Sequence, residues 1–196
     1  IPSPERIADL FLSADNADIM AWADWYADAY DIAGDIAERY GVTREQAAGV
    51  IAATSPLNSW GANVRLAERI IATRNFSSGY LGTGLRKCER ILAGDDIVMV
   101  LNSDKITNFY LAIISAGEHD VAVIDRHAFD IAVGVRHNDN TRPTIGKRRY
   151  AEVAKAYTDA ADLIASRAGV RFGASIVQSV TWVTHRRLYW SAGAWA

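Results

Sequence analysis

The sequence predicts an all-α protein, on three observations. Apolar residues recur at helical spacing along nearly the whole chain, no stretch alternates long enough to require a strand, and helix-start and helix-stop residues bracket the periodic runs. At 196 residues with 50% hydrophobic content, the chain is long enough for a substantial core. The expectation is a single unit over 1–196, a two-lobed helical bundle whose C-terminal helices at 147–187 pack back on the N-terminal lobe.

The elements follow in order. Ser3-Pro4 opens a helix with proline at its first position, where no amide hydrogen is needed. A long helix is expected from Ala17 to Tyr40, closed by Gly41. Trp22, Trp25, Tyr26 and Tyr30 fall at helical spacing within it. They read as core, because a platform for stacking bases would interleave its aromatics with Lys or Arg, and the neighbours here are acidic. Thr43-Arg44-Glu45-Gln46 is a capping box, in which the Thr hydroxyl and the Gln side chain each satisfy an orphan amide. That helix covers Ala47 to Ala53 and ends near Pro56. Ser59 opens the next, to about Arg74, with Val64, Ala67, Ile70 and Ile71 on one face.

The glycine-rich stretch from Ser77 to Gly84 reads as a connector rather than a phosphate cradle, since it follows a helix and no Gly-Lys-Ser/Thr comes after it. A helix over Leu85–Ala93 then stops at Gly94. Asp96–Leu101, the tight turn Asn102-Ser103-Asp104 and a helix from Lys105 to Ser115 form a helix-hairpin-helix pattern over about 96–115. A short helix at 126–133, a polar loop over Gly134–Gly146 and two helices over Lys147–Ala168 and Phe172–Arg187 complete the chain.

Composition narrows the function classes. No run of 18 or more uncharged apolar residues exists, and the first residues lack a basic-then-apolar leader pattern. A soluble, cytoplasmic protein with no membrane partner is expected. Cys88 is the only cysteine, which excludes an internal disulfide and a cysteine-ligated zinc or iron–sulfur cluster. No metal is expected. The net charge of −2 is unlike that of a generic nucleic-acid binder, but its distribution is uneven. Residues 1–40 hold nine acids against two arginines, whereas 134–196 hold ten basic residues against four acids, so a polyanion would meet the C-terminal half.

Two charged residues carry the candidate chemistry. The run Val121-Ala122-Val123-Ile124 delivers Asp125 to the start of a helix, where an N-capping carboxylate stays ionised and can face a developing cation or orient an attacking amine or water. Lys105 enters the first turn of its helix, where the macrodipole disfavours a cation; partial desolvation there would lower its pKa toward that of a nucleophilic amine. His127 sits where an imidazole and helix amides could meet a phosphate. Gln178 and Trp182 are four apart on one helical face, a pairing that suits either a core position or the reading of a flipped base. The loop Thr54-Ser55-Pro56-Leu57-Asn58-Ser59-Trp60 is either a plain turn or a probe for the gap an extruded base leaves.

These pieces in this order resemble the helix-hairpin-helix DNA glycosylase superfamily, the group of endonuclease III and 8-oxoguanine glycosylase. The resemblance covers about Ala47 to Arg187. It rests on the segment from Val50 to Trp60 with Asn63 following, on the hairpin Leu101-Asn102-Ser103-Asp104-Lys105, on Ile124-Asp125-Arg126-His127, and on Gln178 with Trp182. It implies an enzyme that flips a damaged or modified base from DNA and breaks its N-glycosidic bond. Lys105 would be the Schiff-base lysine and Asp125 the catalytic aspartate. Contacts to DNA would come from His127, Gln178, Trp182, Ser55, Asn58, Trp60, Asn63, Asn102 and Ser103. The family's Leu-Pro-Gly-x-Gly hairpin is replaced here by Asn102-Ser103-Asp104, and the C-terminal cluster cysteines of one branch are absent, so no cofactor is implied. The rival readings are a transferase of the same fold acting on a modified pyrimidine in DNA, and a non-catalytic DNA-binding module.

Overall fold

The computed structural model describes residues 1–138 and 140–189, the side chain of Tyr189 excepted. The expected unit over 1–196 therefore extends past the described residues at its C-terminal end. The described chain is helical throughout, with no strand, and divides into two compact units, Ile1–Tyr26 with Gly117–Ala196 and Ala27–Ala116.

In the first unit, α1 (Pro4–Leu12) packs on α10 (Lys147–Ala168) and α11 (Ala174–Tyr189), and α11 also covers α2 (Asn16–Ala23) and α9 (Arg126–Val133). The apolar stripe of α10 places Tyr150, Val153, Ala156, Tyr157, Ala160, Ala161 and Ile164 in the core, at the three-to-four spacing of one helical face. Ile7 and Phe11 of α1, Phe129 and Ile131 of α9, and Val177 and Val180 of α11 close around it. The acidic N-terminal segment meets basic C-terminal residues inside this unit, since Arg167 pairs with Asp9 and Arg187 with Asp15 and Asp18.

The helix expected to run unbroken from Ala17 to Tyr40 is two helices, α2 and α3 (Trp25–Tyr40), divided at Asp24. No Gly or Pro marks the break. The Trp22 carbonyl accepts from the Asp24 amide and from Ser179 Oγ of α11 at 3.4 Å, so tertiary packing replaces the continuing helical ladder. Of the four aromatics read as core, only Tyr26 is fully buried. Trp22 and Trp25 are half-buried, and Tyr30 carries the Arg44 guanidinium 3.9 Å above its ring.

In the second unit, α4 (Arg44–Ala53) is the central helix. Its residues from Ala47 to Ala53 are all buried, and α5 (Trp60–Thr73), α6 (Gly82–Leu92), α7 (Ile97–Leu101) and α8 (Asp104–Ile114) pack around it. A helix apolar on all sides must lie inside such a ring. The capping box at Thr43 and Gln46 is formed, and Gln46 Nε2 also donates to the Ile91 carbonyl at the end of α6. Cys88 of α6 is fully buried. Gly84 allows α6 to approach α4: a Cβ there would stand 2.4 Å from the Tyr80 ring and 3.2 Å from the Ala53 carbonyl oxygen.

Candidate active site and cationic pocket

The segment before α9 is threaded through the core of the first unit and anchored by α10. Ala122, Val123 and Ile124 are buried, and the Tyr150 hydroxyl accepts from the Ile124 amide and donates to the Ala122 carbonyl, both at 3.2 Å. Two turns along α10, the Tyr157 hydroxyl donates to the Ala128 carbonyl at 3.2 Å. Asp125, half-buried at the end of this segment, caps α9. Its Oδ1 accepts from the amides of His127 at 2.9 Å and Ala128 at 2.8 Å. Oδ2 accepts no hydrogen bond from the described residues. Burial raises the pKa values of the Tyr26 and Tyr157 hydroxyls, and the nearby Asp125 charge adds to the effect at both. The expected role of Asp125 as a helix cap is thus formed.

His127, two residues on, lies edge-on to Trp182 of α11 with ring centroids 6.1 Å apart, and the Arg186 guanidinium stands 4.5 Å over the Trp182 ring. Burial lowers the His127 pKa. Asp125 and Asp130 favour its cation, whereas Arg126 and Arg186 oppose it. Burial and Arg126 also work against the Arg186 charge, which Asp125 supports. Asp125, His127 and Trp182, singled out separately in the sequence, therefore surround one locality with Arg126 and Arg186. Gln178 lies one turn before Trp182 on α11 and is buried.

Beyond α9 the chain turns at Gly134, whose φ of 70° is the left-handed conformation that closes the helix. The following loop folds back on Asp130, a carboxylate only 2% exposed. His137 Nδ1 lies 2.7 Å from Asp130 Oδ1, the His137 amide donates to Oδ2 at 3.2 Å, and Arg142 Nη2 donates to Oδ2 at 2.9 Å. Arg142 also donates to the His137 carbonyl at 2.6 Å. Burial alone would raise the Asp130 pKa, but the hydrogen bonds from Arg142 and His137 hold it below the ordinary carboxylate value. This closed cluster fixes the loop against α9 and forms the floor of a cavity of about 230 Å³, whose walls include Arg126, Arg136, Arg142, His127, His137 and His185. Burial lowers the pKa of His185; Arg136 acts in the same direction and Asp130 against it.

Sequence reasoning missed Asp130, His137, Arg136, Arg142 and His185. The basic excess over 134–196 was the one available signal, and it did not single out these residues because Arg167, Arg171 and Arg187 of the same stretch lie in exposed ion pairs.

The remaining predicted site residues belong to the second unit. Asn63 is buried, with Nδ2 donating to the Ile51 carbonyl at 3.0 Å and Oδ1 accepting from the Thr54 hydroxyl at 2.7 Å, so its amide ties α5 to the end of α4. Asn58 Nδ2 donates to the Thr54 carbonyl at 2.8 Å, Ser55 Oγ to the Ala52 carbonyl at 2.9 Å, and the Tyr80 hydroxyl to the Pro56 carbonyl at 2.8 Å. Trp60 lies edge-on to Phe109 of α8. At the tip of this pinned loop Leu57 is 92% exposed, with a φ of 65° that an L side chain disfavours. At the hairpin, Asn102 is left-handed (φ 46°), Ser103 makes no side-chain cap bond, and Lys105 is exposed rather than desolvated. A second amine lies there: half-buried Lys87 donates from Nζ to the Leu101 carbonyl at 2.5 Å, and burial lowers its pKa.

Fold and site together define an all-helical protein with a capping carboxylate beside a pocket lined by guanidinium and imidazole groups. Among the described residues, no group of three or more His, Cys, Asp or Glu side chains is placed to hold a metal ion, and no helix is long and apolar enough to cross a membrane. Residues 3–188 match the model of the Family of unknown function (DUF7178), and the chain belongs to that family. Comparisons with curated proteins and with solved structures give no match.

Proposed function

We propose that this protein is a DNA-base glycosylase of the helix-hairpin-helix type, acting on a damaged or modified base flipped out of the helix. The observation that carries this reading is the half-buried Asp125 carboxylate, oriented through Oδ1 by two α9 amides while Oδ2 accepts no bond from the described residues, beside Trp182, His127 and Arg186. A carboxylate fixed in this way suits stabilisation of the positive charge that develops on the sugar as the C1′–N bond lengthens. As the bond breaks, its electron pair leaves with the base nitrogen, which takes a proton. Water adds to C1′ and gives its proton to Asp125. Trp182 is suited to stacking on the extruded base, and cationic Arg186 and Arg126 to contacting the flanking backbone.

Exposed Leu57 supports the same reading, because an apolar side chain held out on a pinned loop suits insertion between unstacked bases. Lys105 is assigned the amine of a lyase step only through the family resemblance. If it attacks C1′, an imine forms and the DNA strand can be cut by β-elimination.

The test uses duplexes that each carry one altered base, among them 8-oxoguanine, uracil and 5-hydroxymethyluracil, with products read by mass spectrometry. Wild-type protein is expected to release a free base from one of them, and Asp125→Asn to release it at least 100-fold more slowly with DNA affinity retained. A gain of mass on the base instead of its release would replace hydrolysis with transfer. No change in any duplex would remove the enzyme reading, and full activity in Asp125→Asn would remove Asp125 from the chemistry. Borohydride should trap a protein–DNA adduct that Lys105→Ala abolishes; an undiminished adduct in that variant would clear Lys105 of the role.

A further inference from the structure

We propose that one end of the second unit, the loop from Thr54 to Trp60 with the starts of α5 and α6, is a docking surface for the sugar–phosphate backbone of duplex DNA. The proposal shares its DNA partner with the glycosylase reading and rests on none of the chemistry at Asp125.

The charge of this end is unbalanced. Residues 54–88 hold five bases, Arg65, Arg69, Arg74, Arg86 and Lys87, against one acid, Glu68. Glu68 is already engaged, by Arg39 and by the Tyr40 hydroxyl. None of the five bases pairs with a carboxylate among the described residues. Arg69 and Lys87 donate to backbone carbonyls instead, to Gly79 at 3.3 Å and to Leu101 at 2.5 Å. Arg74 caps the far end of α5 and takes no part.

The fold brings two of these charges beside Leu57. Arg65 folds back along α5 toward its start: a Cβ on Gly61, four residues after Leu57, would stand 3.3 Å from its Nη1. Arg86 does the same on α6, where a Cβ on Gly82 would stand 3.5 Å from its Nη1. The start of α6 is held to the Leu57 loop, because Tyr80, two residues before Gly82, donates from its hydroxyl to the Pro56 carbonyl at 2.8 Å. Both guanidinium groups thus sit toward helix starts, where the macrodipole opposes a cation, and neither first turn holds an acid. Phosphate oxygens placed there would be matched by paired guanidinium donors and would offset that repulsion.

Leu57 selects among polyanions. It is 92% exposed, on a loop fixed by Ser55, Asn58 and Tyr80. A duplex presents rows of phosphates on either side of an apolar base stack, which suits cations set beside one projecting apolar side chain. An anionic membrane is met by a broad apolar face, whereas this end offers one leucine tip, with Leu81 half as exposed.

Fluorescence anisotropy with an unaltered duplex, which offers no base to release, tests the surface. Wild-type affinity should fall steeply as salt is raised from about 50 to 200 mM, since each neutralised phosphate adds about −0.9 to the slope of log affinity against log salt. Arg65→Gln/Arg86→Gln, which changes two exposed side chains, should bind about tenfold more weakly and show a slope shallower by about 1.8. The single variants should each lose about 0.9 of slope, and they carry the test if the double variant does not fold. Arg90→Gln, on the same helix but already paired with Asp95, should stay within about twofold with its slope unchanged. Vesicles containing phosphatidylserine should not displace the duplex. Absence of duplex binding by the wild type, unchanged slopes in the Arg65 and Arg86 variants, an equal loss in Arg90→Gln, or displacement by the vesicles would overturn the proposal. Base release from an altered duplex despite such a result would leave the glycosylase reading standing, and salt-dependent binding without base release would leave this one.

Discussion

At the scale of single residues, Asp130 decides whether the candidate site exists. A buried carboxylate whose partners are removed leaves an uncompensated charge, at a cost of about 3–5 kcal/mol, and the same holds for the guanidinium left behind. Asp130→Ala is therefore expected to lower unfolding free energy by about that amount in denaturant titrations at pH 7, and Arg142→Ala by a similar amount. The pH dependence follows in two windows. His127 and His185 have depressed pKa values in the folded state, so the unfolded chain binds more protons as pH falls below the ordinary imidazole value of about 6.5, and stability drops there. Asp130 is depressed as well; its contribution is complete above the ordinary carboxylate value of about 3.9 and is lost as pH falls through the lower folded value. Denaturant midpoints measured from pH 8 to pH 3 should fall in both windows. Asp130→Asn should flatten the second and deepen the first, because the Asp130 charge favours the cations of His127 and His185. A midpoint unchanged between pH 8 and pH 5 would show that these imidazoles do not titrate differently on folding.

Among the elements, the loop joining α4 to α5 carries the clearest conflict between local preference and structure. Leu57 adopts a conformation that costs an L residue about 1–2 kcal/mol, yet contributes little burial in return. Leu57→Gly should keep or raise the melting temperature, although glycine's greater freedom in the unfolded chain offsets part of the gain. Under the proposed function it should also weaken binding to DNA containing an extrahelical base. Lower stability with unchanged DNA affinity would make Leu57 a packing residue instead. Element boundaries were legible where the signals are local. α9 and α10 begin and end at the residues expected, because Asp125, Gly134, Gly146 and Gly169 stand at their ends. The break at Asp24 was not legible, since it depends on Ser179 of α11 meeting the Trp22 carbonyl more than 150 residues away in sequence. The half of the candidate site centred on Asp125, His127 and Trp182 could be read from a capping position and an i, i+4 pair. The half centred on Asp130 could not, because His137 and Arg142 lie on an irregular loop that has no period to read.

For the molecule as a whole, the uneven distribution of charge has two parts. Arg167 and Arg187 answer acids of the first 20 residues, and exposed pairs of this kind contribute about 0–1 kcal/mol each. Arg142 answers the buried Asp130, and Arg126 and Arg136 line the same concave surface. Basic residues in a linear count are equivalent, whereas in the fold some form exposed ion pairs with acids distant in sequence and others line a cavity. The division into two units has a further consequence through Cys88. Burial pushes its thiol up to about 12, far above the range in which a thiolate forms at neutral pH, and the side chain is fully enclosed in the second unit. The lone thiol is thus a built-in clock. A chromogenic disulfide reagent can titrate it only when the surrounding helices part, so the rate of colour release measures how often that unit opens while the other, which has no cysteine, stays silent.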